Sequence, residues 1–193
     1  MAGLRELWTD VIPDAGELAD DLVGRYAGKS RYVYRDRYLE TVLIALESLD
    51  QLSTDPTAVR LAAWFHRAVH QPGSTAQEDA EASAQMVEQV LPAYGVTPAR
   101  TAEVARLVRL TGGTAPVKTQ DANADVLLDA VNAILADKRY PTHAGEVRRD
   151  AEREAEDPSA EKDLRPQTSA PKTTARTGLS PRSSAGTTRS APC

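Results

Sequence analysis

Two histidines at helical spacing are the first candidates for chemistry in this chain of 193 residues. His66 and His70 stand four positions apart, so on a continuous helix they would share one face and could bind the same divalent metal ion. No third ligand or carboxylate motif accompanies the pair. The structural alternative is that His66 is half-buried and hydrogen-bonded, while His70 lies in the solvated last turn of the helix.

Residues 31–38 interleave three tyrosines with three arginines, a pattern that could stack on nucleic-acid bases. Tyr34 and Tyr38 are again four residues apart, which also fits an aromatic pair facing a core with the arginines in solvent. The net charge of the chain favours the second interpretation, in which the tyrosines face a core. Since the whole chain carries −5 and residues 164–193 carry +5, the first 163 residues carry −10. A region with this negative charge repels phosphates, so no nucleic-acid partner is expected.

The overall composition is that of a globular protein, with 41% hydrophobic and 26% charged residues. Alanine and leucine dominate the apolar set, which favours helices. A single cysteine, Cys193, excludes an internal disulfide. Neither a signal peptide nor a membrane-spanning run is apparent, so a soluble cytoplasmic protein without a membrane partner is expected.

Helix start signals divide the chain into an all-α bundle of six to seven helices, covering residues 1–157. Asp55-Pro56 and Thr97-Pro98 each place a capping side chain before proline at the first helical position. Residues 74–77 have capping-box spacing, and Gly112-Gly113 marks a helix end. A last, highly charged helix is predicted near residues 142–155. Residues 158–193 are rich in Ser, Thr, Pro and Arg, which predicts a disordered tail.

The order of several short stretches resembles a group of predicted metal-dependent phosphohydrolases of the HD-domain superfamily. The resemblance extends from Leu4 to about Asp150. The matching stretches are Leu4 with Trp8, Arg25-Tyr26 with Arg31, Ala63-Trp64-Phe65-His66, Ala82-Ser83-Ala84, Thr111, Asp129-Ala130 with Ala133-Ile134-Leu135, and Tyr140 with Val147-Arg148. The resemblance implies an HD-like helical fold.

The metal-binding positions of that family are where this sequence departs from it. Tyr34 and Tyr38 occupy two histidine positions of the family's second helix. The histidine of the His-Asp doublet remains as His66, but Arg67 replaces the aspartate, and Val131 replaces a later metal-binding aspartate. One imidazole cannot hold a divalent ion, and a guanidinium places a positive charge where the cation would sit.

The resemblance therefore implies a catalytically inactive protein without a resident cofactor, in which His66 is a vestigial metal ligand. We expect it to act by binding a small phosphorylated ligand or a protein through its modified cleft. The residues of the former metal cleft should converge; they are Tyr34, Tyr38, His66, Arg67, Asp129 and Val131. Arg67 is expected to form a salt bridge with Asp129 or Glu81, because an unpaired buried guanidinium is costly.

The alternative is a metal-dependent phosphohydrolase that acts on a nucleotide or another small phosphate ester. Its ion would be Mn²⁺, Mg²⁺ or Fe²⁺, since these accept nitrogen and oxygen ligands. The candidate ligands in that case are His66, His70, Asp36, Glu78 and Asp129.

Overall fold

The structure, a computed structural model, describes residues 2–28, 36–113 and 120–136, with the single positions 145, 148, 149 and 152. These residues form seven α-helices and no strand, which confirms the all-α prediction. The helices are α1 (Ala2–Thr9), α2 (Gly16–Tyr26), α3 (Asp36–Leu49), α4 (Pro56–Phe65), α5 (Ala76–Val90), α6 (Pro98–Leu110) and α7 (Ala122–Asn132). None of these described helices has the length and apolar character needed to cross a membrane.

Two predicted regions are not covered by this description. Most of the charged helix expected near residues 142–155 and the whole of residues 158–193 lie outside the described residues. The four single positions within 142–155 are helical. The described residues all belong to one compact unit, Met1–Asp163.

The cap-plus-proline signals are confirmed at α4 and α6. The Asp55 carboxylate accepts a hydrogen bond from the backbone N–H of Ala58 at 3.0 Å. The Thr97 hydroxyl accepts one from the N–H of Arg100 at 3.3 Å. Each side chain satisfies an N–H group that has no partner within its helix, which explains why the helix begins there.

Two other helix starts differ from the prediction by one residue. In the sequence, Asp14 stands before an apolar stripe that includes Leu18 and Leu22 and predicts a helix start, but the residue before α2 is Ala15, which makes no side-chain cap. The capping box of α5 is formed by Thr75 and Glu78, not by Ser74 and Gln77. Glu78 is the better partner because its carboxylate accepts from both the N–H and the hydroxyl of Thr75, at 2.8 and 2.9 Å.

Helix α4 is the centre of the bundle. Its sequence is apolar on almost every face, and seven of its ten residues are buried. A helix of this kind has to be covered on all sides, and α3, α5, α6 and α7 all pack against it. The segment that follows α4 therefore emerges from the interior.

Trp8 and Trp64 join the N-terminal helix to this centre. Their rings meet edge to face, with centroids 5.0 Å apart and planes at 85°. Trp8 is 2% exposed and Trp64 is fully buried. The pair anchors α1, which no start signal in the sequence had indicated, through the large apolar area that two indoles remove from water.

Gly112 lies where the end of α6 crosses the beginning of α5. A Cβ atom placed on Gly112 would stand 2.5 Å from Cβ of Ala80 and 2.7 Å from the carbonyl oxygen of Ala76. For Gly113, in contrast, no atom of the described residues lies within 4 Å of its Cβ position, its own chain neighbours aside. The sequence predicted both glycines as a helix stop, but Gly112 is also a packing requirement.

Candidate functional site

His66 is fully buried, and both of its ring nitrogens are engaged. Nδ1 lies 2.7 Å from the carbonyl oxygen of Ala63, and Nε2 lies 3.0 Å from the hydroxyl of Tyr38. A carbonyl oxygen only accepts, so Nδ1 carries the proton and donates. In the neutral imidazole Nε2 then offers its lone pair, and Tyr38 donates to it. The lone pair that would bind a metal is thus used inside the protein.

Tyr38→Phe is expected to lower the free energy of unfolding by about 1–2 kcal/mol, because it leaves Nε2 of His66 buried without this donor. Chemical denaturation measures the loss. Tyr94→Phe is the matched control, since Tyr94 is 38% exposed. Ring ¹⁵N shifts of wild-type His66 should show the proton on Nδ1. Equal free energies of unfolding for the two variants would show that the hydrogen bond from the Tyr38 hydroxyl to His66 does not stabilise the protein.

Tyr26 completes this cluster and explains why α4 ends. Its buried hydroxyl donates to the carbonyl oxygen of Trp64 at 3.2 Å and accepts from the N–H of Arg67 at 3.3 Å. In a continuing helix that N–H would bond to Ala63, whose carbonyl oxygen instead accepts from the His66 ring. The Tyr26 hydroxyl and the His66 imidazole thus bond to the backbone groups that would otherwise pair with each other in a further helical turn.

The two histidines are consequently not placed on one helix face. Helix α4 ends at Phe65, so His70 belongs to the connection between α4 and α5. His66 is fully buried, where the sequence indicated a half-buried residue, and the His70 side chain is 24% exposed. The shared metal site that their spacing allowed requires a continuous helix, which the structure does not have.

The ion pairs recorded among the described residues do not include the salt bridge predicted between Arg67 and Asp129 or Glu81. The Glu81 carboxylate accepts two hydrogen bonds from the guanidinium of Arg109, at 2.7 and 3.0 Å. Hydrogen bonding to Arg109 lowers the pKa of Glu81 below its ordinary value. Asp129 is exposed on α7. Glu81 faces α6 because α5 and α6 pack closely along their length.

The remaining residues of the expected cleft are only partly covered by the structure. Tyr34 and the side chain of Asp36 lie outside the described residues. Val131 is partly buried and packs against the core from α7, a helix that contacts both α3 and α4. The structure therefore brings Tyr38 and His66 together directly. The convergence of Tyr34 and Val131 on them stays a prediction.

A second polar cluster surrounds Asp79 on α5. Its carboxylate, almost fully buried, lies 2.6 Å from Nδ1 of His70 and accepts from the Gln71 N–H at 3.2 Å. The Ser74 hydroxyl also bonds to it. Burial raises the pKa of this carboxyl, but hydrogen bonds from His70, Ser74 and Gln71 and the attraction of His70 outweigh burial and hold the pKa below its ordinary value.

Ser83 holds the same connection one turn further along α5. Its buried hydroxyl accepts from the N–H of Val69 at 3.0 Å and donates to the carbonyl oxygen of Val69 at 3.4 Å. Together with Tyr26 and Asp79 it satisfies backbone groups that the end of α4 leaves without helical partners. The contacts of these three side chains fix residues 66–75 against α2 and α5.

Asp79→Asn is expected to lower the free energy of unfolding at pH 7 by about 1–2 kcal/mol, because hydrogen bonds to an ionised acceptor are stronger. The folded pKa of Asp79 is depressed, so its contribution is present above the unfolded value of about 3.9 and is lost as the pH falls below it.

Urea unfolding of wild type and variant at several pH values measures this difference, which should shrink below about pH 4. The exposed Asp129→Asn serves as the control for removing one charge. A difference that stays constant from neutral to acid pH would contradict the assigned ionisation.

The two histidines that the spacing offered as metal ligands are bonded to other protein groups. Nε2 of His66 is bonded to Tyr38, and the carboxylates of Glu81 and Asp79 are bonded to Arg109 and His70. Within the part of the chain that the structure describes, no three His, Cys, Asp or Glu side chains form a group that could hold a metal. Sequence reasoning missed the roles of Tyr26 and Ser83 because their partners lie 41 and 14 residues away. It missed the role of Asp79 because its partners lie in the connection after α4, which local signals assigned to a continuing helix.

Comparison of the chain with protein-family profiles, curated proteins and solved structures gave no match.

Proposed function

We propose that this protein is a catalytically silent member of the HD superfamily that acts in the cytoplasm by binding. The partner is a protein or a small phosphorylated ligand. The observation that carries the proposal is the hydrogen bonding of His66, whose two ring nitrogens bond to Tyr38 and Ala63 in the interior. The one imidazole that the resemblance assigns to metal binding serves the fold instead.

The surroundings of His66 support the same conclusion. Tyr26 and His66 are fully buried and Tyr38 is 5% exposed, so an incoming phosphate ester would have to displace packed aromatic rings to reach the imidazole. A hydrolytic metal site needs an open coordination position for water or substrate. The described part of the cluster favours a structural role for His66 and leaves recognition to other surfaces.

Metal analysis combined with a phosphatase panel tests the loss of catalysis. Purified protein is expected to contain far less than one equivalent of Mn²⁺, Mg²⁺ or Fe²⁺ and to hydrolyse neither nucleotides nor simple phosphate esters with these ions added. Arg67→Asp restores the aspartate of the doublet. It should still bind no metal, because Nε2 of His66 remains bonded to Tyr38.

Stoichiometric metal with activity in wild type would establish the phosphohydrolase alternative. Metal uptake and hydrolysis in Arg67→Asp alone would show that the other ligands were adequate all along. Thermal-shift measurements with the same phosphate esters test the ligand half of the proposal. A rise in melting temperature without hydrolysis supports binding of a phosphorylated ligand. If no compound raises the melting temperature, the proposed partner is a protein.

A further inference from the structure

No further inference is drawn: the strongest candidate, the His70–Asp79 pair where the α4–α5 connection meets α5, belongs to the site already described, where it holds that connection in place.

Discussion

Asn123→Ala is expected to lower the free energy of unfolding by about 2–4 kcal/mol, a large effect for one exchange outside the apolar core. Oδ1 of Asn123 accepts from the N–H and hydroxyl of Thr54 and from the N–H of Asp55, at 2.9 to 3.0 Å. Its Nδ2 donates to Glu103 at 3.0 Å. The side chain is 6% exposed, so alanine leaves several partners without this bond where water has little access.

Asn132→Ala is the matched control because the same exchange is made on the same helix. Asn132 is exposed, and its amide donates only locally, to the carbonyl oxygen of Leu128. We expect its effect to stay within about 0.5 kcal/mol. Urea unfolding followed by circular dichroism measures both variants. Similar losses would mean that Asn123 does not join α7 to the start of α4.

Gly112→Ala is expected to destabilise the protein by about 2–3 kcal/mol through overpacking. The added methyl group would meet Cβ of Ala80, the carbonyl oxygen of Ala76 and Cα of Gln77, at 2.5 to 2.9 Å. Two of these atoms belong to the backbone of α5 and cannot move aside without shifting that helix. The end of α6 and the beginning of α5 therefore have to separate.

Gly113→Ala provides the comparison at the adjacent position. Its Cβ site is open, and Gly113 does not have a positive φ. Alanine there should be neutral or slightly stabilising, because it restricts the unfolded chain without a clash. Thermal melts of the two variants give the measurement. Equal melting temperatures for Gly112→Ala and wild type would show that the crossing is looser than the structure has it.

Local signals predicted the helices well because the residues that decide them are neighbours in sequence. Asp55 and Thr97 cap helices whose first N–H groups lie three residues away. The spacing of apolar residues and the capping signals therefore gave the all-α class and the starts of α4 and α6. The start at α5 was misplaced by one residue because Ser74 and Thr75 are both good caps, and only the position of Glu78 decides between them.

The end of α4 could not be predicted in this way. No glycine or proline stops the helix between Phe65 and His70. The helix ends because Tyr26 takes the N–H of Arg67 and Ser83 takes that of Val69, although these side chains stand 41 and 14 residues away. The i, i+4 pattern of the histidines thus indicated a shared face on a helix that tertiary contacts had already terminated.

Charge partners were also decided by tertiary packing. The sequence suggested Glu81 for Arg67 through the resemblance, whereas the structure pairs Glu81 with Arg109 across the α5–α6 contact. Arg109 also bonds to Glu88 at 2.8 Å, so two carboxylates of α5 share one guanidinium of α6. Such a choice depends on how two helices are rotated against each other, which neither periodicity nor capping specifies.

The contact between Trp8 and Trp64 has a spectroscopic consequence. These are the two tryptophans of the chain, and their rings touch in the interior. Intrinsic tryptophan fluorescence therefore reports on one location, the contact between α1 and the central helix α4. On α4 this contact is made by Trp64, two residues before His66. A change in emission during unfolding follows the loss of that junction, whereas far-ultraviolet circular dichroism follows all the helices. Disagreement between the two signals would reveal that α1 detaches before the rest of the bundle unfolds.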